Sequence, residues 1–362
     1  MLQIQQEKAS IGMGGSAGKE GDAKKDLALT KELKHDAMIE TSVKKLLLLG
    51  PGESGKSTLF KQLTITTVTD GFTEQEKKDF SRIIQTNLIS YFVDFCAAAE
   101  ALGFSVPEES KEFLEELKAA EMDNKGCDEI RDFPSKANIL WNHANIQKMW
   151  EQRSKVQVPE CLAYFMSRVD DICKGSYIPS NEDILRVRNR TTGMVEKDFL
   201  INGDRFRLID VGGQRSERRK WMKYFTDIAG VLFTAAISEY DQVLWEDPTM
   251  NRVHEALHVF KDAVTNPAFE NSAIILFLNK DDLFREKLNR VPLSICFSEY
   301  SGSTYESAAE FIRNRFSAEV PDKITPYIFF TCATDSDKTR HLFNAVRDAV
   351  VRKNLAATGL IS

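Results

Sequence analysis

The sequence predicts an α/β fold, in which a mostly parallel six-stranded sheet flanked by helices is interrupted by an inserted all-helical domain. Short apolar runs at 46–49, 231–236 and 273–278 are typical of buried strands, and amphipathic stretches separate the later ones. The stretch 74–184 has apolar residues at helical spacing and no convincing alternating strand. Continuous apolar strands between amphipathic helices favour a parallel sheet that is covered on both faces.

Composition limits the class of protein. The chain has 362 residues, which is enough for two domains with sizeable cores. Its 42% hydrophobic and 28% charged residues are typical of a globular protein, and its net charge of −6 argues against general nucleic-acid binding. The six cysteines lack metal-ligand spacing, so we expect reduced thiols in a cytoplasmic protein. No apolar stretch approaches a membrane span, and the N-terminus does not resemble a signal peptide.

The chain divides into four predicted segments. Residues 1–42 are a flexible N-terminus followed by an amphipathic helix, which would need a partner to be well ordered. Residues 43–72 supply the first strand and helix of the sheet domain. Residues 73–184 form the helical insertion, and 185–362 supply the rest of the sheet domain.

Within the last segment, strands and helices alternate. The stretch 197–209 predicts a hairpin around the turn Asn202-Gly203-Asp204. A final strand is predicted at 327–330. The predicted helices lie near 249–265, 304–317 and 336–355.

The loop Gly50–Ser57 has the complete pattern G-x-x-x-x-G-K-S and directly follows the first strand. In such a loop the glycines let backbone N–H groups converge on phosphate oxygens, and the next helix adds partial positive charge. Lys56 would neutralise phosphate charge and Ser57 would ligate Mg²⁺. The alternative is an ordinary surface Gly/Ser loop, which the preceding strand and the helix-like residues 58–63 disfavour.

The strand ending at Ile209 is followed by Asp210-Val211-Gly212-Gly213-Gln214. An acid at the carboxyl end of a buried strand, beside a phosphate loop, is where a ligand of Mg²⁺-bound water belongs. Gly213 could offer its N–H to a γ-phosphate, and Gln214 could orient an attacking water. The alternative is a helix-capping Asp with a flexible Gly-Gly turn.

The segment Asn279-Lys280-Asp281-Asp282 follows the strand 273–278. An acid placed there can accept hydrogen bonds from guanine N1–H and the 2-amino group, which adenine does not offer. The stem of Lys280 would cover the base face. Ala333, in the segment 331–334, could offer a free backbone N–H to guanine O6. The alternative for each segment is a polar turn after a strand.

Together these segments resemble the α subunits of heterotrimeric G proteins, from about residue 40 to the C-terminus. The resemblance implies a Ras-like GTPase domain, and its helical insertion distinguishes it from small Ras-like GTPases. The segments that carry it are 52–58, 210–221, 277–284 and 331–335.

The resemblance also identifies 183–193 as a first switch. By position, Arg188 corresponds to a built-in arginine finger and Thr191 to the second Mg²⁺ ligand, while Glu53 pairs with that arginine. Catalytic roles are implied for Arg188 and Gln214, and metal roles for Ser57, Thr191 and, through water, Asp210. The implied nucleotide-binding residues are Glu53, Ser54, Gly55, Lys56, Ser57, Thr58, Glu160, Cys161, Leu185, Arg186, Val187, Arg188, Thr191, Asp210, Gly213, Asn279, Lys280, Asp282 and Ala333.

The activity that the resemblance implies is slow hydrolysis of GTP to GDP with Mg²⁺, in a switch that couples membrane receptors to effectors. A βγ dimer would contact the N-terminal helix and residues 215–225, and an activated receptor would accept residues 355–362. A regulator of hydrolysis and an effector would bind the switch surface. No nucleic-acid partner is expected, and the cytoplasmic face of the plasma membrane is the implied location.

The chain departs from the family pattern at several positions. Pro51 removes one backbone N–H, at a loop position that is not a principal phosphate donor. Cys161 stands where the family usually has Ser. Position 2 is Leu, and no cysteine precedes Cys96, so lipid anchoring is left open; an internal Met13-Gly14 could be a start. Thr358 replaces the cysteine that toxins modify in some members.

Two other functions fit the phosphate loop alone. A small-molecule kinase would need an acceptor pocket and would have no use for the 279–282 motif. A nucleotide-dependent binding module with negligible hydrolysis would have no use for Arg188 and Gln214.

Overall fold

The structure is a computed structural model that describes residues 43–67, 71–153 and 158–357. The predicted helix at 26–42 and the C-terminal residues 358–362 lie outside the described residues. The chain from Lys45 onward forms one compact unit. Among the described residues, no helix has both the length and the apolar character needed to cross a membrane.

The sheet has six strands in the order β2-β3-β1-β4-β5-β6. The pairs β1–β4, β4–β5 and β5–β6 are parallel, and β2–β3 is antiparallel. The predicted hairpin is confirmed, because Asn202 and Gly203 adopt φ of 50° and 86°, the left-handed conformations of a tight hairpin turn. The strands are β1 (Lys44–Leu49), β2 (Met194–Ile201), β3 (Asp204–Val211), β4 (Ile228–Ala236), β5 (Ala273–Asn279) and β6 (Tyr327–Thr331).

The helices of the described residues cover the sheet and build the insertion. They are α1 (Lys56–Thr67), α2 (Glu74–Ala101), α3 (Lys111–Met122), α4 (Phe133–Trp141), α5 (Ala144–Glu151), α6 (Leu162–Met166), α7 (Val169–Ile172), α8 (Asn181–Arg186), α9 (Arg215–Arg218), α10 (Arg252–Val264), α11 (Asp281–Leu288), α12 (Tyr305–Ser317) and α13 (Ser336–Ala357). Short 3₁₀ turns lie at Glu108–Ser110, Cys127–Glu129, Trp221–Tyr224, Ile237–Glu239, Pro267–Phe269 and Leu293–Ile295.

Both faces of the sheet are buried, as the continuous apolar strands predict. In β1, Leu47 and Leu49 pack in one core with α10 and α12. Leu46 and Leu48 pack in a second core with α1 and α13. This alternation is the period of two of a strand, and here both faces have a helical cover.

The insertion is all-helical over its described residues, 74–153 and 158–184, as predicted. Its central helix α2 starts at a capping box in which Thr73 and Glu76 satisfy each other's backbone N–H groups. The apolar face of α2, including Phe92 and Phe95, is the middle of a separate core. The predicted boundary at 184/185 falls inside α8, so the exact domain limits stay predictions.

Candidate functional site

A cavity of about 330 Å³ opens at the carboxyl ends of the parallel strands. Its walls are the loop after β1, the loops after β5 and β6, residues 185–191 and, from the helical insertion, residues 158–161. Every predicted site residue lines it except Ser54 and Asp210. Ser54 bonds instead to Thr234 of β4 at 2.7 Å, and Asp210 is buried next to Ser57.

The loop after β1 needs glycine at Gly55. Its φ is +100°, and a Cβ there would lie 2.1 Å from the Asn279 side-chain nitrogen. Lys56 donates to the carbonyls of Gly50 and Pro51 at 2.9 and 2.8 Å, and burial lowers its pKa to about 8. Pro51 thus takes part through its carbonyl, which proline keeps.

Two hydroxyls and a carboxylate converge beside Lys56. Ser57 Oγ lies 2.7 Å from Thr191 Oγ1, and both donate to Asp210 Oδ2, at 2.8 and 3.3 Å. Asp210 Oδ1 is buried and has no hydrogen-bond partner among the described residues. Burial raises the pKa of Asp210, although Lys56 opposes the shift. The hard oxygen atoms and the unpartnered carboxylate oxygen fit a cation that phosphates and water would coordinate further.

The described residues contain no cluster of three His, Cys, Asp or Glu side chains that could hold a metal by themselves. The Ser57–Thr191–Asp210 cluster is not of that kind, because it has only one carboxylate together with two hydroxyls. Mg²⁺ usually takes one or two carboxylates together with substrate phosphates and water.

Arg188 belongs to a row of alternating charges. Its Nη2 lies 2.8 Å from Glu53 Oε1, as the resemblance implies. Arg252 continues the row, with Nη1 2.9 Å from Glu53 Oε2 and 3.2 Å from Glu239 Oε2. Lys280 binds the other oxygen of Glu239 at 2.6 Å. Burial raises the pKa of Glu53, but Arg252 and Arg188 outweigh it and leave the pKa below its usual value.

Gly213 and Gln214 lie against the phosphate loop. A Cβ at Gly213 would lie 2.2 Å from Lys56 Nζ, so this position has room only for glycine. A Cβ at Gly52 would lie 3.2 Å from Gln214 Cγ, which shows how close the glutamine is to the loop. The segment after Gln214 is fixed by Arg218, which donates to the Gly213 carbonyl at 2.9 Å.

At the other end of the cavity, Asn279 joins three segments. Its amide nitrogen donates to the Ser54 carbonyl at 2.9 Å, and its oxygen accepts from Thr331 Oγ1 and Ala333 N at 3.1 and 3.2 Å. The sequence interpretation supposed that the Ala333 N–H is free. In the structure it is not free, because it donates to the buried Asn279 oxygen. Asp282 is exposed and lines the cavity at the start of α11.

The helical insertion contributes Glu160 and Cys161 to the cavity wall, as the resemblance implies. Burial raises the pKa of the Cys161 thiol to about 11, although the neighbouring Tyr91 opposes the shift. The thiol is therefore protonated at neutral pH and acts as a small apolar contact. Leu185, Arg186 and Val187 complete this wall.

Lys61, Glu239, Trp245 and Arg252 are among the cavity-lining residues that sequence reasoning missed. Arg252 is buried although it opens α10, and its carboxylate partners Glu53 and Glu239 precede it by 199 and 13 residues. A charged residue directly after the helix-capping Asn251 resembles an exposed first-turn residue, so no local signal distinguishes it. Lys61 lies on the face of α1 opposite Leu59 and Leu63, so the local pattern gives it the appearance of an exposed residue.

Comparison with known proteins agrees with this site. Residues 23–350 match the family described as G-protein alpha subunit. The chain is 39% identical over 338 residues to the guanine nucleotide-binding protein G(o) subunit alpha of Caenorhabditis elegans, and the alignment covers 92% of this chain and 95% of that protein. The chain therefore belongs to the G-protein α-subunit family, whose members are GTPases and guanine-nucleotide-binding signalling switches.

Proposed function

We propose that this chain binds GTP together with Mg²⁺, hydrolyses it slowly to GDP and phosphate, and couples activated membrane receptors to effectors. The observation that carries the proposal is the Ser57–Thr191–Asp210 cluster, whose buried Asp210 Oδ1 lacks a partner among the described residues. Arg188 and Gln214 line the same cavity as Ser57 and Thr191. The proposal therefore places a cation next to two groups suited to γ-phosphate chemistry.

Ser57, Thr191 and, through water, Asp210 would hold the Mg²⁺. When bound, Mg²⁺ neutralises charge on the β- and γ-phosphates. Lys56 would support the same oxygens, because its buried ammonium lies within the loop, 2.9 and 2.8 Å from the carbonyl oxygens of Gly50 and Pro51. Gly213 lies against Lys56 and the loop carbonyls and has no side chain, so its N–H could approach a γ-phosphate closely.

Hydrolysis is in-line attack of water on the γ-phosphorus, in which the bond to the β–γ bridging oxygen breaks and GDP leaves. Gln214 orients the water through its amide. Arg188 donates to the oxygens on which charge develops. Glu53 holds the Arg188 guanidinium in the orientation needed for this contact. Because the charge is greatest in the transition state, these contacts favour that state over bound GTP.

Guanine specificity is assigned to Asp282, whose carboxylate accepts from N1–H and the 2-amino group. Lys280 covers the base with its stem, since its ammonium is fixed by Glu239 at 2.6 Å. An adenine in the same place would leave the Asp282 carboxylate unpaired.

Family membership implies interaction with a βγ dimer, receptors and effectors in general. We assign the βγ contact to residues 26–42, which the sequence predicts to be a helix, and to residues 215–225, where Met222 is 77% exposed. Receptor contact is assigned to residues 355–362, and a hydrolysis regulator and an effector to the switch surface around Gly193. A location at the cytoplasmic face of the plasma membrane accords with these partners.

The test is single-turnover hydrolysis of radiolabelled GTP, with and without Mg²⁺, by the parent chain, Arg188→Cys and Gln214→Leu. We expect Mg²⁺-dependent phosphate release in the parent and lower rates in both variants at unchanged GTP-analogue binding. Arg205→Cys, on the exposed face of β3, is the matched control.

Transfer of the label to a small acceptor would instead indicate a kinase. Stoichiometric binding without phosphate release would indicate a binding module. Unchanged hydrolysis in both Arg188→Cys and Gln214→Leu would refute the residue roles.

A further inference from the structure

Lys61 is a buried cation that the proposed chemistry does not use. It lies on α1, four residues after Ser57, and is only 7% exposed. Within the described part of the chain no carboxylate forms an ion pair with it, and its Nζ lies 5.3 Å from the centre of the Phe80 ring. Burial lowers its pKa to about 8, so keeping the ammonium charged here is unfavourable. Such a residue needs a reason, because lysine is rarely buried without an acidic partner.

The Lys61 ammonium donates to two backbone carbonyls at the end of α8. Its Nζ lies 3.0 Å from the Ile184 oxygen and 2.8 Å from the Val187 oxygen. Val187 immediately precedes Arg188 in the chain. Thr58, also on α1, adds a long contact to the Leu185 carbonyl at 3.5 Å. The helix that follows the phosphate loop therefore holds the backbone that leads to the arginine.

A second donor holds the same backbone from the helical insertion. Asn87 of α2 donates through its amide nitrogen to the carbonyl of Arg188 at 2.7 Å. The same nitrogen lies 3.1 Å from the Tyr91 hydroxyl, which keeps the amide oriented. The peptide groups on both sides of the Arg188 α-carbon are thus bonded to side chains of two different helices.

We propose that Lys61 and Asn87 are positioning residues for GTP hydrolysis, which fix the backbone of residues 184–188 and so set the reach of the Arg188 guanidinium. This inference rests on the catalytic role proposed for Arg188. Glu53 orients the guanidinium at its far end, but an arginine has a long side chain with many rotamers. Its position is reproducible only if the α-carbon is fixed as well, and a displacement of about 1 Å at a reacting group can cost about 100-fold in rate.

A purely structural role for Lys61 would be to cap the C-terminal carbonyls of α8. That role predicts a variant that is less stable, with changes in binding and hydrolysis that do not depend on Arg188. The positioning role predicts instead that the loss of hydrolysis disappears once Arg188 is itself removed. A double-mutant cycle separates the two.

The experiment compares the parent, Lys61→Met, Arg188→Cys and the double variant in single-turnover GTP hydrolysis with Mg²⁺, alongside GTP-analogue binding. Methionine is unbranched and only one atom shorter than lysine, so it keeps most of the packing beside Phe80 and removes the donors. We expect Lys61→Met to lower the hydrolysis rate by about 10-fold, within the range for misplaced catalytic groups. In the Arg188→Cys background we expect a change of less than about 2-fold. Lys148→Met, on an exposed position of α5, is the matched control.

Asn87→Leu gives an independent second arm, so that the proposal is tested even if Lys61→Met does not fold. We expect the same pattern, a loss in the parent background and none beside Arg188→Cys. Equal losses in both backgrounds, or no loss from either variant, would overturn the positioning role. An Arg188→Cys rate equal to that of the parent would instead refute the catalytic role of Arg188, and this inference with it.

Discussion

Glu53 Oε2 accepts a hydrogen bond from Arg252 Nη1 at 2.9 Å, while the other oxygen of the same carboxylate binds Arg188. Glu53 has a φ of 64°, a left-handed conformation that is unfavourable for a residue with a side chain. The geometry of the loop that we assign to phosphate binding thus also places this acid between two arginines. The row then continues through Glu239 to Lys280 and links the end of the cavity assigned to the phosphates to the end assigned to the base.

Arg252→Met should destabilise the fold. The substitution leaves Glu239 buried with one cation instead of two, and breaking a buried ion pair costs about 3–5 kcal/mol. We expect a loss of this size in the free energy of unfolding by urea. Arg340→Met is the control, since its ion pair with Asp337 is exposed, and it should cost less than about 1 kcal/mol. A loss no larger than that of the control would show that the row adds little to stability.

Asp282→Asn should weaken GTP binding by about 10- to 100-fold, the cost of leaving a buried hydrogen-bond donor unpaired. The amide nitrogen of the substituted side chain would place a hydrogen-bond donor opposite a donor of the base, so that one of the two hydrogen bonds is lost. The measurement is competition binding of GTP against a fluorescent analogue. Asp281→Asn is a close control, because its Oδ1 accepts from Tyr305 at 2.6 Å and an asparagine keeps that acceptor. Equal affinity of Asp282→Asn and the parent would contradict this assignment of the base contact.

Gly55→Ala should abolish nucleotide binding. The new methyl would lie 2.1 Å from Asn279 Nδ2, and the φ of +100° is strained for alanine. The loop has to shift or Asn279 has to leave its contact with Ser54. Isothermal titration with GDP checks this, and Gly175→Ala is the control because a Cβ there meets nothing within 4 Å. Parent-like binding by Gly55→Ala would show that the loop relaxes freely.

Trp221 should report the state of the second switch. Its indole N–H donates to the Gly212 carbonyl at 2.8 Å, directly beside the glycine that lines the cavity. Movement of Gly213 toward a γ-phosphate must disturb that bond, so we expect a Mg²⁺-dependent change of fluorescence on loading a GTP analogue. Trp221→Phe should remove most of the change, whereas Trp141→Phe in the helical core should keep it. Retention of the full signal in Trp221→Phe would assign it to another tryptophan, such as the exposed Trp245.

Ionised Asp183 should stabilise the fold, and this contribution to the free energy of unfolding should be lost in acid. Burial raises its pKa, but hydrogen bonds from Ser180, Tyr164 and Arg168 outweigh this and leave the pKa below its usual value. A carboxyl with a depressed pKa stabilises the fold above its unfolded pKa, and that contribution is lost as pH falls through the folded value. Asp183→Asn should therefore be less stable than the parent at pH 7 and lose less on acidification below pH ~4. Unfolding curves at several pH values test this; parallel curves for both proteins would contradict it.

The strands could be predicted because each carries its own signal. Residues 46–49 and 273–278 are buried on both faces, and the Asn202-Gly203 turn fixes the register of β2 and β3. The phosphate loop and the guanine segments follow such strands, so their meeting at one edge of the sheet also follows. The helix α11 was not predicted, since it is short and highly charged.

The contacts between distant segments could not be predicted from local pattern. Arg252 meets Glu53 across 199 residues, and Lys61 meets Val187 across 126. The side chains involved are charged and would ordinarily be exposed. The same reason explains why the sequence wrongly suggested a free N–H at Ala333, because only the folded chain brings the Asn279 oxygen to it.

The contacts of the Asn279 amide separate the residues assigned to recognise the base from those assigned to recognise the γ-phosphate. It ties the phosphate loop, the end of β5 and the loop after β6 into one rigid piece. That piece contains the groups assigned to identify the base, and these are the same for GDP and GTP. The groups assigned to distinguish GTP from GDP lie on other segments; they are Thr191, Gly213 and Gln214. Substitutions at Asn279 should therefore change the dissociation rates of GDP and GTP alike, without changing how well the protein distinguishes GDP from GTP.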